Sequence, residues 1–173
     1  MKIADEIVKS LSDIIKNKKI LEIACGDSEF SLSDSKYASE IFATDISLER
    51  FYRRNIKEIP DNIKVYEMNA AELKLKDEEF DLTFCYNAIG HLVEMKDLVL
   101  SEMLRVTKKG GLVVLIATWT MDKKILYELH ENWVRKDNGK DLRYMQNSKY
   151  SILIIEKNFC ADQDTLAAKT GRY

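Results

Sequence analysis

The chain has 173 residues, 46% hydrophobic and 32% charged, with a net charge of -2, which suits one globular domain with a full core and hardly two. That balance gives no general attraction to nucleic acid or an anionic membrane, and no apolar run is long enough to span a bilayer. The charged opening MKIADEIVKS lacks the apolar centre of a signal peptide, and three cysteines without CxxC spacing read as reduced, structural thiols in a cytoplasmic protein with no metal site.

In chain order, Ile3, Ile7, Val8, Leu11, Ile14 and Ile15 recur at helical spacing and predict one amphipathic helix over Ile3–Asn17. A first strand follows at Lys19–Ala24. The serine-rich SLSDSKYAS allows only a short or irregular helix. A second strand, Ile41–Asp45, leads to a helix capped by Ser47 and ended by Pro60. That helix displays Arg50, Arg53, Arg54 and Lys57, expected as a solvated face, with a local RNA-contacting patch as the alternative. Strands are expected at Lys64–Met68 and Phe80–Tyr86. A helix over Lys96–Thr107 is expected to stop on Lys108-Lys109-Gly110-Gly111. Leu112–Thr118, apolar on both faces, reads as a central parallel strand. A helix follows Asp122 and ends by Gly139. Two strands, Arg143–Gln146 and Tyr150–Lys157, then flank an Asn147-Ser148 turn. The domain is expected over residues 1–157, with a loosely ordered tail over 158–173.

The chemistry concentrates in ILEIACGDSEF, Ile20–Phe30. A strand, a turn of small residues and a helix start bring backbone N–H groups against a nucleotide-like ligand. Asp45, about twenty positions further on, closes the second strand where a carboxylate can accept ribose hydroxyls. Glu29 stands where a pyrophosphate would approach, and the phosphate-binding lysine of a P-loop is missing, which disfavours NAD, FAD and nucleoside triphosphates. A ligand bearing cations and no phosphate suits Glu22 and Asp27 better.

With these residues, Glu22-Ile23-Ala24-Cys25-Gly26-Asp27-Ser28 resembles the first motif of the class I S-adenosylmethionine-dependent methyltransferases. DEEFDLTFCYNAIGHL and LRVTKKGGLVVLIA are similar to two later segments of that family, so the resemblance runs from Lys18 to Lys157. It implies an α/β fold: a Rossmann-like, doubly wound, mostly parallel seven-stranded sheet with a C-terminal antiparallel hairpin. It implies S-adenosyl-L-methionine as cofactor. Glu22 would hold its amino end through the turn, Gly26, between Ala24 and Ser28, would admit it closely, Asp45 would take the ribose, Asn69 and Ala70 would frame the adenine, and Ile46 would also touch the cofactor. The family usually has glycine at the position of Ser28. A tolerated serine there is expected to keep its backbone out of the left-handed region and to bond the cofactor or cap the short helix.

Asn87 and His91 follow the fourth strand, at the edge where ligands sit in open α/β sheets. Asn87 would hold a ligand by its amide or cap the turn. His91 would serve as general base or merely shape the pocket. Methyl transfer needs chiefly in-line positioning, so the lack of a catalytic triad excludes nothing. With no long insertion to form a lid, the site leaves room for a small acceptor, slightly preferred, covered by a partner chain such as a homodimer mate. A protein or RNA acceptor, or a non-catalytic binding module of the same fold, is the alternative.

Overall fold

The computed structural model describes residues 2–54, 58–137 and 141–158. Its frame is a seven-stranded sheet in the order β3-β2-β1-β4-β5-β7-β6. The strands are β1 (Lys19–Ile23), β2 (Glu40–Asp45), β3 (Ile63–Glu67), β4 (Phe80–Tyr86), β5 (Thr107–Ala117), β6 (Leu142–Gln146) and β7 (Ser151–Glu156). The first five run parallel, and β7 runs antiparallel to both β5 and β6. The doubly wound sheet and its terminal hairpin are those expected.

Among the described residues, six α-helices accompany the sheet: α1 (Ile3–Ser10), α2 (Ser12–Ile15), α3 (Glu29–Asp34), α4 (Glu49–Arg53), α5 (Lys96–Val106) and α6 (Thr120–Asp137). The period-2 alternation of the strands divides the core in two. Ile20, Leu82, Phe84, Val114 and Ile116 pack with Ile7, Val8, Ile15 and Phe30 on one face. Leu21, Ile23, Cys85, Val113 and Leu115 pack with Val99, Met103 and Leu126 on the other. Phe30 and Phe84 are fully buried and in tilted contact at 5.2 Å, and burying each such ring stabilises the fold by about 1.5–3 kcal/mol.

Three expectations need correction. The single helix over Ile3–Asn17 breaks at Leu11, where φ is -102° and ψ is 4°, and Ser10 Oγ donates to the Ile7 carbonyl at 2.7 Å. Side-chain bonding of this kind competes with the helix ladder. The helix expected from Ser47 to Pro60 is helical over Glu49–Arg53, and residues 55–57, with Lys57, lie outside the described residues. The third correction concerns Gly110-Gly111, which does not cap α5. That helix ends at Val106, and β5 begins at Thr107, five residues early, because buried Thr107 donates to the Met103 carbonyl at 2.6 Å and pairs its hydroxyl with Thr83 at 3.0 Å. The two glycines instead form an irregularity, where the register moves from Phe80↔Thr107 to Leu82↔Leu112. A Cβ on Gly111 would stand 2.7 Å from the Asp81 carbonyl oxygen, so the strands need glycine here to approach. The tail expected over 158–173 lies, apart from Asn158, outside the described residues.

Candidate functional site

Ile23 pairs with Thr44 of β2 on one side and Cys85 of β4 on the other, so the strand order reverses at β1 and a crevice opens beyond its C-terminal end. The turn Ala24–Ser28 occupies that end. Every second residue in it is left-handed: Ala24 at φ 49°, Gly26 at φ 56° and Ser28 at φ 56°. Glycine adopts this conformation freely, whereas alanine and serine each cost about 1 kcal/mol there. The expectation for Ser28 is therefore overturned. It sits in the left-handed region as the residue preceding α3, its side chain caps nothing, and its buried hydroxyl lies beside the Cys25 thiol with no oxygen or nitrogen partner.

Other groups hold the strained turn. Glu22, only 1% exposed, accepts from both the backbone N–H and the hydroxyl of Ser31, and so caps α3 from the neighbouring strand. Its carboxyl thus points inward, beneath the turn, rather than into the crevice. Burial pushes Glu22 up to about 8, against the Ser31 bonds and with help from the charges of Asp27 and Asp45. Asp34, at the end of α3, is buried with neither carboxyl oxygen bonded, and burial together with Glu22 raises it well above the ordinary carboxylate range. Across the crevice, Gly26 N–H donates to Asp45 Oδ2 at 2.8 Å, and Cys25 N–H to the Thr44 carbonyl at 2.9 Å.

Helix α4 and the residue that follows it supply two arginines that the solvated-face expectation did not place. Arg54 pairs with Asp27 Oδ2 at 2.9 Å and donates to its carbonyl at 3.2 Å. The Arg50 guanidinium lies over Gly26, 3.4 Å from where a Cβ would stand. Arg53 pairs with Glu49 on the surface, as a solvated side chain should. Arginine spacing along α4 was visible in the sequence, but its aim at the turn depends on the tertiary fold.

At the far side of the crevice, Met68 N–H donates to the Asp45 carbonyl at 2.7 Å and draws the end of β3 against the end of β2. Ile46 is 71% exposed beside Asp45, an apolar surface at the crevice. Ala70 is buried, while Asn69 is exposed and accepts the Ala71 N–H at 2.9 Å, a local turn that leaves its NH₂ as donor. The described residues therefore fit a ligand with ribose hydroxyls and an apolar ring system. Tyr86, stacked on Phe30 at 5.0 Å, is pushed up to about 12 by burial and then by the charges of Glu29, Glu22 and Asp27.

Asn87, at φ 51°, spends its amide on Thr118, donating to Oγ1 at 2.8 Å and accepting the Thr118 N–H at 2.7 Å. It ties the ends of β4 and β5 together. His91 is exposed just beyond, edge-on to Trp119 with ring centroids 6.2 Å apart. Trp119 and the buried Asp122, which accepts the Gly90 N–H at 2.7 Å, were missed in the sequence, although a tryptophan directly after a central strand is a readable signal. Cys25 and Cys85 are free and buried, and burial pushes both thiols up to about 12.

A protein-family model described as a methyltransferase domain matches residues 21–115. The probable methyltransferase ltbC of Aspergillus luteorubrus is 34% identical over 113 residues, which cover 58% of this chain and 40% of that one. The ubiquinone biosynthesis O-methyltransferase of Rickettsia bellii is 23% identical over 160 residues, 88% of this chain and 66% of that one. The chain thus spans less than two thirds of the length of either relative. In fold it is similar to the crystal structure of a SAM-dependent methyltransferase from Aquifex aeolicus, with a TM-score of 0.67 at 16% identity, covering 87% of this chain and 88% of that one.

Proposed function

The chain belongs to the methyltransferase-domain family, and we propose that it is an S-adenosylmethionine-dependent methyltransferase whose acceptor is a small molecule, methylated at the C-terminal ends of β4 and β5. The observation that carries this reading is the convergence on Gly26. The left-handed turn, the Asp45 carboxylate and the Arg50 guanidinium all meet there, at the point where the strand order reverses.

When bound, S-adenosylmethionine supplies a methyl group activated by a sulfonium leaving group. The chain's own contribution is position. Asp45 accepts the ribose hydroxyls while its other bonds, to Gly26 N–H and to Ser47 N–H at 3.2 Å, keep it in place. Ile46, Asn69 and Ala70 enclose the base. Glu22 supports the turn from below. His91 receives the proton of an oxygen acceptor. The names of the relatives and the absence of a basic balance in the composition favour a small acceptor over RNA.

The second reading, a non-catalytic module, draws on one observation, the left-handed Ser28 in the cofactor turn. Calorimetry separates the two. S-adenosylhomocysteine binds the enzyme while NADH does not, and transfer of labelled methyl to size-fractionated cell extract marks the small-molecule pool. Binding without transfer to any fraction supports the module, and transfer to the macromolecular fraction replaces the small acceptor.

A further inference from the structure

Beyond β4 the chain is fixed at two points. Asn87 is bonded to Thr118, and Gly90 N–H to Asp122 Oδ1 at 2.7 Å, so the segment 87–91 is tied twice to the segment 118–122. The second tie is tight. Asp122 is 3% exposed, and a Cβ on Gly90 would stand 3.0 Å from its Oδ1. What these ties hold together is a pair of exposed rings, His91 and Trp119, at an interplanar angle of 89°. Trp119 is 52% exposed, and Met121 beside it is 64% exposed. A large flat indole left open, with an imidazole edge-on to it, forms two walls of a corner: one apolar, one able to take a proton.

We propose that this corner is the acceptor subsite and that it takes a planar phenol, with the ring on Trp119, the hydroxyl at the His91 imidazole, and Asp122 a positioning residue for His91. The proposal rests on the methyl-transfer reading above. Imidazole is a base of middling strength. It takes a proton from a phenol, ordinarily about 10, at far smaller cost than from an aliphatic alcohol, and a phenol brings the flat face that indole stacks on. In the step, the phenol oxygen forms the O–CH₃ bond as the C–S bond breaks. The bonding pair leaves on sulfur as S-adenosylhomocysteine, and the phenolic proton passes to His91 and on to water.

The test uses the full chain with 4-methylcatechol as the probe and cyclohexane-1,2-diol as its non-aromatic match. Titration of the S-adenosylhomocysteine-loaded protein with 4-methylcatechol changes tryptophan fluorescence. Trp119→Phe reduces that change, Trp119→Ala abolishes it, and neither alters affinity for S-adenosylhomocysteine. In turnover with S-adenosylmethionine, Trp119→Ala raises KM for the catechol tenfold or more. His91→Gln lowers kcat with little change in the catechol KM. Asp122→Ala and Gly90→Ala lower kcat at unchanged cofactor affinity, and Asp122→Asn, whose amide oxygen still accepts from Gly90, restores it. Melting temperatures of all variants are read alongside, and because Trp119 lies on the surface, its variants keep the test valid if Asp122→Ala fails to fold. Should the wild-type protein bind no S-adenosylhomocysteine, the methyl-transfer reading itself falls. Cofactor binding with no response to 4-methylcatechol, equal use of the cyclohexanediol, or unchanged catechol KM in Trp119→Ala overturns the phenol subsite alone.

Discussion

Glu22 on β1 caps α3 by accepting from Ser31, three residues into a helix whose own preceding residue, Ser28, leaves the task undone. The acid expected to act on the cofactor's amino end through the turn therefore lies beneath that turn and supports it. Its burial has a consequence for pH. The folded chain keeps the Glu22 proton up to about 8, whereas the unfolded chain releases it near 4.5. Stability from this group is therefore full below the lower value and is lost as pH rises through the upper one. Asp34, raised by burial, adds in the same direction.

Urea unfolding checks this. Between about pH 5 and about pH 8.5 the wild-type protein is expected to lose a few kcal/mol of stability. Glu22→Gln, which can still accept from Ser31, should lose clearly less. Equal losses in the two proteins would remove Glu22 as the source.

Ser28 yields a prediction of opposite character. Its left-handed backbone costs about 1–2 kcal/mol, offset in part by the extra freedom that glycine gains in the unfolded chain. Ser28→Gly should thus stabilise the protein by about 0.5–1 kcal/mol, a rise of roughly 2–4 °C per kcal/mol in melting temperature. Ser28→Ala keeps the strained backbone and should change little, since the hydroxyl it removes lies against the Cys25 thiol, a weak hydrogen-bonding partner. A marked loss in Ser28→Ala would show the hydroxyl at work.

Much of the frame was readable because local signals and tertiary needs agree. FDLTFCY is a strand by composition and lies on both core faces, so β4 falls on the expected residues. Asn147 accepts from both Lys149 and Tyr150 at 2.8 Å, and a turn of that kind needs only its own residues. Where the reading failed, distant groups decide. Gly110-Gly111 looks like a helix stop until Asp81 is brought within 2.7 Å of the second glycine's missing Cβ. Arg50 and Arg54 look like surface charge until α4 is set above Gly26 and Asp27. Of the site, the acids and the glycine could be named from spacing. Which way Glu22 points, and what Asn87 bonds, depend on neighbours that no local pattern encodes.

Gly111→Ala should therefore be costly although the position faces no ligand. The added methyl meets the Asp81 carbonyl oxygen and the Thr107 side chain, each at 2.7 Å, and the first is backbone that cannot swing away. A loss of about 1–3 kcal/mol in chemical denaturation is expected, with affinity for S-adenosylhomocysteine retained. Gly110→Ala, at φ 73° with nothing within 4 Å, should lose only the backbone term, on the order of 1 kcal/mol. Losses in the reverse order would contradict the close approach at Gly111.

Asp45 is the sharpest test of the cofactor site. Its Oδ2 accepts from Gly26 N–H, its Oδ1 from Ser47 N–H, and its own carbonyl accepts from Met68 N–H. The backbone bond to Met68 survives any side-chain change, so Asp45→Ala should fold, with a modest fall in melting temperature from the lost bond to Gly26. Affinity for S-adenosylhomocysteine should fall far more. Charge-assisted bonds to two ribose hydroxyls are together worth on the order of a few kcal/mol, and each 1.4 kcal/mol is tenfold, so a loss of about a hundredfold is expected. Asp45→Asn separates the roles. Its amide oxygen can still accept from Gly26, which keeps the turn in place, but it presents no charge to the ribose. Calorimetry should place Asn between aspartate and alanine in affinity, with a melting temperature close to wild type. Binding by Asp45→Ala as tight as that of the parent would remove the ribose role, whatever the fate of the turn.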